Sequence, residues 1–361
     1  MGGDNTKKTV LSPVKTCFLL VSFLCVLPLS LFSGWLQGFL KGINNSTFYN
    51  YSTSGNVTIL LWYWPFNRSF SLRGDVCWDL YRIPRCRLVD TRSWYVSADV
   101  VVFHNRELML RQQKLPLDLP RPQGQRWAWM SLESPANNGN LRQYANIFNM
   151  TISYRRDADV SIPYGEFLPK ESKEHRVEDI PLNKSSLVCW VVSNYRELHK
   201  RSEVYRKLRA IVPVNVYGQW NKRPLSSDSL LPTISHCYFY LAFENSVAKD
   251  YITEKLWRNA YKSGTVPVVL GPPLSNYRAM TPPNSFIHVD EFASVIELGQ
   301  YLQKLAQDNK RYAKYFNWKK LWEVKLYKDW RERLCRICLQ FDTLAQHKVY
   351  SDLKAWVNAP T

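Results

Sequence analysis

Tyr251, Glu254 and Lys255 lie within five residues of one another in "FENSVAKDYITEKLWRNAYKSGTVPVVLG" (Phe243–Gly271), a segment that also carries Glu244, Lys249 and Asp250. Asp250 predicts the start of a helix running to about Ser263, with Gly264 as its C-cap. On that helix Ile252, Leu256, Trp257, Ala260 and Tyr261 fall on one side and read as core. Tyr251, Glu254 and Lys255 share another face, three and four residues apart. A helix start attracts anions through its free N–H groups and its dipole. A lysine there can bind a diphosphate, and a neighbouring carboxylate can accept hydrogen bonds from ribose hydroxyls. An ordinary surface ion pair is the plainer reading of the same residues.

A second carboxylate stands apart. Glu133 in "LESP" follows the apolar run of "QRWAWMSLESP" (Gln125–Pro135). A strand-end carboxylate facing a closing cleft suits a general base, and a solvated glutamate is the alternative. "RRDADV" (Arg155–Val160) spaces Asp157 and Asp159 like a metal-binding DxD. Arg68, Arg82 and Arg85 are candidates for gripping a carboxylate on an acidic ligand, since arginine offers paired donors.

These residues need a frame. "VTILLWYWPF", "ADVVVFH" and "QRWAWMSLESP" are short apolar strands with polar carboxyl ends. They predict a largely parallel sheet in an acceptor-binding unit over 57–175. A charged linker over 176–186 follows. A second unit over 187–345 alternates strands and helices: "LVCWVVSN", "RSEVYRKLRAI", "PVNVYG", "YFYLAFEN", the Phe243–Gly271 segment, "FIHVDEFAS" and the single helix "VIELGQYLQKLAQDNKRYAKYF". The fold class is α/β with two Rossmann-like domains facing a cleft. Ligands in such sheets gather at the carboxyl ends of strands.

The chain of 361 residues has Lys+Arg 48 against Asp+Glu 30, a formal charge of +18, which favours acidic partners. No nucleic-acid-binding signature accompanies it, so an acidic small molecule or glycan is the expected ligand. A basic tail (1–16) precedes the uncharged run Cys17–Leu36, long enough to cross a bilayer. The positive-inside rule makes it a transmembrane signal anchor with the rest lumenal. A cleaved signal peptide is the competitor, but no clear cleavage site follows. A stem (37–56) and sequons at Asn44, Asn45, Asn50, Asn56, Asn67, Asn149 and Asn183 fit a glycosylated lumenal protein. Asn44 and Asn45 overlap; Asn45, Asn56, Asn67, Asn149 and Asn183 are the expected acceptors. Six cysteines lie beyond the anchor, an even count that fits disulfides in an oxidising compartment. A tail over 346–361 closes the chain.

"FYLAFENSVAKDYITEKLWRNAYKSGTVPVVLG", "RPQGQRWAWMSLESP", "NMTISYRRDADVSIPYG" and "CWVVSN" resemble, in order, the blocks of the Lewis-type α1,3-fucosyltransferases. The similarity runs from about Val57 to Val357. Within that family "LWYWPF", "ADVVVFHNREL", "GTVPVVLGPP" and "DWRERLCRIC" resemble most the leukocyte-type branch forming sialyl Lewis x. Asn105 stands where the pattern more often reads His-His. The resemblance implies a GT-B fold, GDP-fucose as donor substrate and an inverting transfer to the 3-hydroxyl of N-acetylglucosamine in sialylated N-acetyllactosamine. It also implies a single-pass type II Golgi membrane location. Neutral N-acetyllactosamine as acceptor, or a glycan-binding protein without catalysis, are the alternatives. The resemblance makes Glu133 the catalytic base. It puts Tyr164, Ser193, Asn194, Arg201, Tyr240, Asn245, Tyr251, Glu254 and Lys255 on the donor. Beside Glu133, Arg68 and Arg82 are the acceptor-side candidates on the chemistry of arginine with a carboxylate, and solvated arginines are the plainer alternative. It requires no cofactor and no metal ligand set; manganese is at most a stimulant, and Asp157 and Asp159 are set aside as ligands. It pairs Cys77 with Cys335, Cys86 with Cys338 and Cys189 with Cys237. Local pairing, Cys77–Cys86 with Cys335–Cys338, remains open.

Overall fold

The computed structural model describes residues 55–170, 184–345 and 347–360. The basic tail, the anchor, nearly all of the stem, Asn45 and Asn183 fall outside them. Among the described residues no helix is long and apolar enough to cross a membrane.

The first sheet is wholly parallel, in the order β2 (Cys86–Val89), β1 (Val57–Leu61), β3 (Val100–His104), β4 (Arg126–Ser131), β5 (Met150–Ser153), β6 (Val160–Ser161). Its strands are buried on both faces. Ile59 and Leu61 point to one apolar layer with Val100, Val102 and Met130, while Leu60 points to the other with Val101, Phe103 and Trp129. That burial is why the strands read as continuous apolar runs and not as alternating ones.

A second parallel sheet runs β12 (Ile287–His288), β11 (Val266–Leu270), β10 (Cys237–Phe243), β8 (Ser186–Val191), β9 (Val214–Tyr217). Both sheets reverse direction of growth beside their first strand. The switch lies between β1 and β3 in the first and between β8 and β10 in the second. Ligand crevices in doubly wound folds open at such points, outside the carboxyl ends. A small antiparallel sheet, β7 (Gly165–Pro169) with β13 (Trp322–Leu326), had no counterpart in the sequence reading.

Two local expectations change. The stretch after β12 is two helices, Val295–Ala306 and Asn309–Lys314, because the Asp308 carboxylate accepts from Arg311 N–H at 2.9 Å and starts a new helix. The chain's end also returns to the first sheet. The helix Trp330–Gln340 contributes Leu334, Cys335 and Ile337 to one of that sheet's layers, and Tyr350, Leu353 and Val357 join the other. The end of the expected second unit and the expected tail are thus core of the first.

Disulfides Cys77–Cys335 and Cys86–Cys338 bind that helix to the first sheet, and Cys189–Cys237 links β8 to β10. This is the pairing the family resemblance implied, and the local alternative is absent. Arg333, on the same helix, is 5% exposed. Its guanidinium donates to the carbonyls of Ile162 (2.9 Å), Pro163 (3.0 Å) and Tyr327. Burial pushes it down to about 10, still cationic at neutral pH. Arg333→Leu would leave those carbonyls without their donor, and a loss of about 3 kcal/mol is expected by chemical denaturation. Non-reducing peptide mapping should recover Cys77 with Cys335 and Cys86 with Cys338.

Candidate active site

The chain leaves β10 with Glu244 and Asn245. Glu244 is 4% exposed, and a lone carboxylate cannot be buried cheaply. Its Oε1 accepts from the backbone N–H (2.8 Å) and hydroxyl (2.9 Å) of Thr253, and Oε2 meets the same hydroxyl (2.9 Å) and Lys255 Nζ (2.9 Å). Burial raises its ionisation range; Lys255 opposes that. Gly271 makes the fit possible. A Cβ there would lie 2.9 Å from Glu244 Cγ and 3.2 Å from the Tyr277 hydroxyl.

This clamp replaces the expected Asp250 cap. Asp250 takes a left-handed backbone (φ 56°), and its buried carboxylate accepts from Arg156 N–H and Nε, each at 3.0 Å. The helix begins only after Thr253, and Lys255–Tyr261 winds as a wide π-helix. Such widened turns accumulate at functional sites. Gly264 (φ 70°) closes it as expected. Leu256, Trp257, Ala260 and Tyr261 are buried, and so is Ile252 just ahead of them.

Lys255 Nζ also donates to Thr253 Oγ1 (2.7 Å) and meets Glu254 Oε1 (3.3 Å). Desolvation works against its charge, but Glu244 and Glu254 outweigh it and hold the ammonium above its ordinary range. Desolvation likewise works against ionised Glu254, and Lys255 outweighs it, so that carboxyl lies below its ordinary value. The Glu254 side chain is about half exposed, at 48%. The surface ion pair foreseen as the plain reading therefore exists, on top of a buried one.

Arg201, near the start of the helix Lys200–Leu208, converges on the same place. It is 5% exposed, and Nη2 donates to Asn194 O. Burial lowers its ionisation range, while the charges of Glu244 and Glu254 pull it up. Arg201 Nε and Asn245 Oδ1 are buried without a hydrogen-bond partner, two polar atoms of opposite character ready for a polar ligand. Ser193 and Asn194 are exposed just beyond β8, at the switch point. Tyr240 is fully buried inside β10, its hydroxyl accepting from Asn259 Nδ2 at 3.1 Å. The family resemblance implied a donor contact for it; in the structure its hydroxyl supports the helix from beneath.

The carboxyl edges of the two sheets meet through the segment after Asn245. Ser246 Oγ donates to Ser134 Oγ (2.9 Å), Lys249 pairs with Asp157 (3.1 Å), Asp250 holds Arg156, and Tyr251 packs edge-on against Tyr154. Glu133 sits here, half-buried after β4, its Oε2 accepting from Asn137 Nδ2 at 3.4 Å. The Tyr164 hydroxyl donates to Leu132 O at 2.7 Å. Its phenol is pushed up mainly by burial, with the charges of Glu254 and Glu133 adding to it and Lys255 opposing.

Not every expected residue arrives. Arg68 is exposed on the turn after β1, at the right edge. Arg82 is not. Trp330 packs on His104 at the carboxyl edge, and Cys338 reaches Val57 O at the amino edge. Arg82 lies past Cys77, on the way into the amino end of β2, and covers Trp78 at 5.5 Å. Arg85 pairs with Asp342 there. Asp157 is committed to Arg155 and Lys249, and Asp159 to Thr151, Tyr350 and Lys348. Among the described residues, Cys77, Cys86 and Cys335 form the one group with metal-ligand spacing, and all three are in disulfides. Asn56 and Asn67 are exposed; Asn149 is half-buried, its Oδ1 accepting from Trp127 N–H at 2.7 Å.

Residues 54–165 match the model of the fucosyltransferase N-terminal domain, and 181–356 that of the glycosyltransferase family 10 (fucosyltransferase) C-terminal domain. The chain belongs to glycosyltransferase family 10, the fucosyltransferases. It is 47% identical over 304 residues to α-(1,3)-fucosyltransferase 7 of Mus musculus, covering 84% of this chain and 76% of that one. The human protein of that name is 46% identical over 305 residues (84% and 86%). A 4-galactosyl-N-acetylglucosaminide 3-α-L-fucosyltransferase 9 of Cricetulus griseus is 37% identical over 361 residues (98% and 99%). The crystal structure of an α1,3-fucosyltransferase with GDP-fucose superposes with a TM-score of 0.54 at 20% identity, covering 84% of this chain and 94% of that one, which establishes the shared fold.

Two residues at the carboxyl edges of this fucosyltransferase's sheets were passed over in the sequence. Glu244 was read only as part of a charge cluster; the signal available was a carboxylate directly after a strand, opposite the glycine that ends the next one. Arg106 is exposed one residue beyond His104 and Asn105, its guanidinium 5.2 Å over the Phe66 ring. The clamp gives Lys255 a structural role. Lys255→Ala is expected to cost about 3 kcal/mol of stability by leaving Glu244 unpaired. Glu244→Gln in the same chain should recover part of that loss in chemical denaturation.

Proposed function

We propose that the protein is an inverting α1,3-fucosyltransferase that moves fucose from GDP-fucose to the 3-hydroxyl of N-acetylglucosamine in sialylated N-acetyllactosamine, forming sialyl Lewis x. The observation carrying this reading is the Ser134–Ser246 hydrogen bond, which ties the Glu133 loop to the segment leading into Glu254 and Lys255 across the two carboxyl edges. In this reading Arg201 and Lys255 hold the diphosphate and Glu254 the ribose. Asn245, Asn194 and Ser193 complete the donor contacts, with Tyr251 and Tyr164 walling the site. The acceptor O3 attacks the fucose anomeric carbon from the face opposite GDP. The C–O bond to GDP breaks as the new one forms, and the O3 proton passes to the Glu133 carboxylate. A β-linked donor then gives an α-linked product. Charge growing on GDP is met by two cations that stand in place before reaction, so no metal is asked for in this step.

The acceptor's carboxylate is assigned to Arg68 and Arg106. Both stand at the carboxyl edge, on the turn after β1 and just past β3. The strands β1 and β4 are two places apart in the sheet, roughly 10 Å. That is the reach of a short glycan from Glu133. A single-pass type II Golgi location and a lumenal site belong to the same reading, supported by the uncharged Cys17–Leu36 run and the disulfides.

Transfer from labelled GDP-fucose to paired sialylated and neutral acceptors tests it. Glu133→Gln should lower kcat about 1,000-fold or more, given what a positioned base contributes together with orientation. Arg68→Ala and Arg106→Ala together should reduce the sialylated-to-neutral rate ratio about tenfold. An unchanged ratio would leave neutral N-acetyllactosamine as the substrate, and no turnover in the wild type would leave a glycan-binding protein.

A further inference from the structure

The loop carrying Glu133 is fixed by a buried hydrogen-bond chain that starts at Trp129, which shares a face of β4 with Ser131. Trp129 Nε1 donates to Asn105 Oδ1 at 2.9 Å. Asn105 Nδ2 donates to the backbone carbonyl and to Oδ1 of Asn138, each at 3.1 Å. Ser131 Oγ donates to the same Oδ1 at 2.6 Å and itself accepts from Glu133 N–H at 3.1 Å. Asn138 Nδ2 donates to the carbonyls of Glu133 (3.3 Å) and Ser134 (3.2 Å). Asn105, Ser131 and Asn138 are 1%, 2% and 2% exposed.

The Asn138 side chain therefore makes four hydrogen bonds, two accepted and two donated, which is all an amide can make. Its orientation is forced, because the groups at the two ends of the network can play only one role: the Trp129 indole only donates, and the Glu133 and Ser134 carbonyls only accept. Trp129 can only donate, which sets the Asn105 oxygen; that sets Asn105 Nδ2 toward Asn138, and so the Asn138 nitrogen toward the Glu133 and Ser134 carbonyls. Both backbone polar groups of Glu133 are held by this network. Its carboxylate, in contrast, carries one long contact to Asn137 among the described residues. The backbone is locked and the reacting end left loose.

We infer that Asn138, oriented by Asn105 and Ser131, is a positioning residue that sets the Glu133 carboxylate for proton abstraction. The inference rests on the reading of Glu133 as the base. It also explains why Asn105 occupies its place here: the polar chain needs a side chain that accepts from Trp129 and donates to Asn138 at once. Ser134, held by the same Asn138 amide, hydrogen-bonds Ser246 of the donor loop, so the base loop and the donor loop share one support.

The test measures kcat, KM for both substrates and GDP-fucose binding by calorimetry for Asn138→Ala in two backgrounds, the natural chain and Glu133→Gln. Melting curves establish the folded fraction. In the natural background kcat per folded enzyme should fall about 10- to 100-fold, the effect of misplacing a reacting group by an ångström, while the GDP-fucose Kd stays within about twofold. In the Glu133→Gln background the same change should alter the residual rate less than about threefold, because the group it positions is already disabled. Ser131→Ala, a smaller change that removes the acceptor for Glu133 N–H and one of the two donors to Asn138 Oδ1, serves if Asn138→Ala does not fold, and should show the same dependence on background. Equal losses in both backgrounds, or an undiminished kcat per folded enzyme, would overturn the inference alone. Full activity in Glu133→Gln would remove the base assignment and this inference with it.

Discussion

A carboxylate buried at the end of β10 governs the arrangement of the whole donor side. Glu244 has to be satisfied where water does not reach, and its partners are Thr253 N–H, the Thr253 hydroxyl and the Lys255 ammonium. Those partners lie nine and eleven residues further along, so satisfying Glu244 folds the intervening chain into a loop and starts the next helix at a set place. The absence of a side chain at Gly271 lets β11 approach closely enough for the carboxylate to fit. Removing a single partner strands a charge, so the group is far more sensitive to being broken than a surface pair would be.

The loop that Glu244 forces outward is what joins the two halves of the chemistry. Between Asn245 and Thr253 its side chains turn to the first sheet: Ser246 to Ser134, Lys249 to Asp157, Asp250 to Arg156, Tyr251 to Tyr154. Ala248 and Tyr251 are counted in the first sheet's apolar layer although they belong to the chain of the second. One segment thus fixes Lys255 on one side and is tied to the Glu133 loop on the other.

Much of this was legible in the sequence, for reasons that can be named. Strands buried on both faces leave long apolar runs, so β1, β3, β4, β8, β10 and β11 stood out, and their polar ends marked the edge where ligands collect. The core face of the helix after Thr253 was legible from spacing. Its start was not, because Asp250 has the side chain of a cap but that carboxylate is taken by Arg156 and its backbone is left-handed, and the true restraint comes from a residue at the end of a strand. Tyr240 and Arg82 were misplaced for a related reason. Sequence gives the type of a side chain, whereas depth within a strand and position along a connecting helix are set by packing. The small sheet of β7 and β13 joins segments more than 150 residues apart, beyond any local pattern.

The two disulfides that fasten the helix Trp330–Gln340 close loops of 258 and 252 residues. During synthesis the first sheet's strands emerge long before their covering helix exists. At ordinary elongation rates Cys86 waits roughly 10 to 50 s for Cys338. Through that interval the nascent first sheet has one layer without Leu334, Cys335 and Ile337, the other without Tyr350, Leu353 and Val357, and two reduced thiols nine residues apart that can react with each other. The amino-terminal half is therefore a late-maturing unit despite being made first, and the last thirty or so residues decide whether it matures at all. A premature stop near the end of the message would remove none of the donor cluster and yet abolish the fold that presents the base to it.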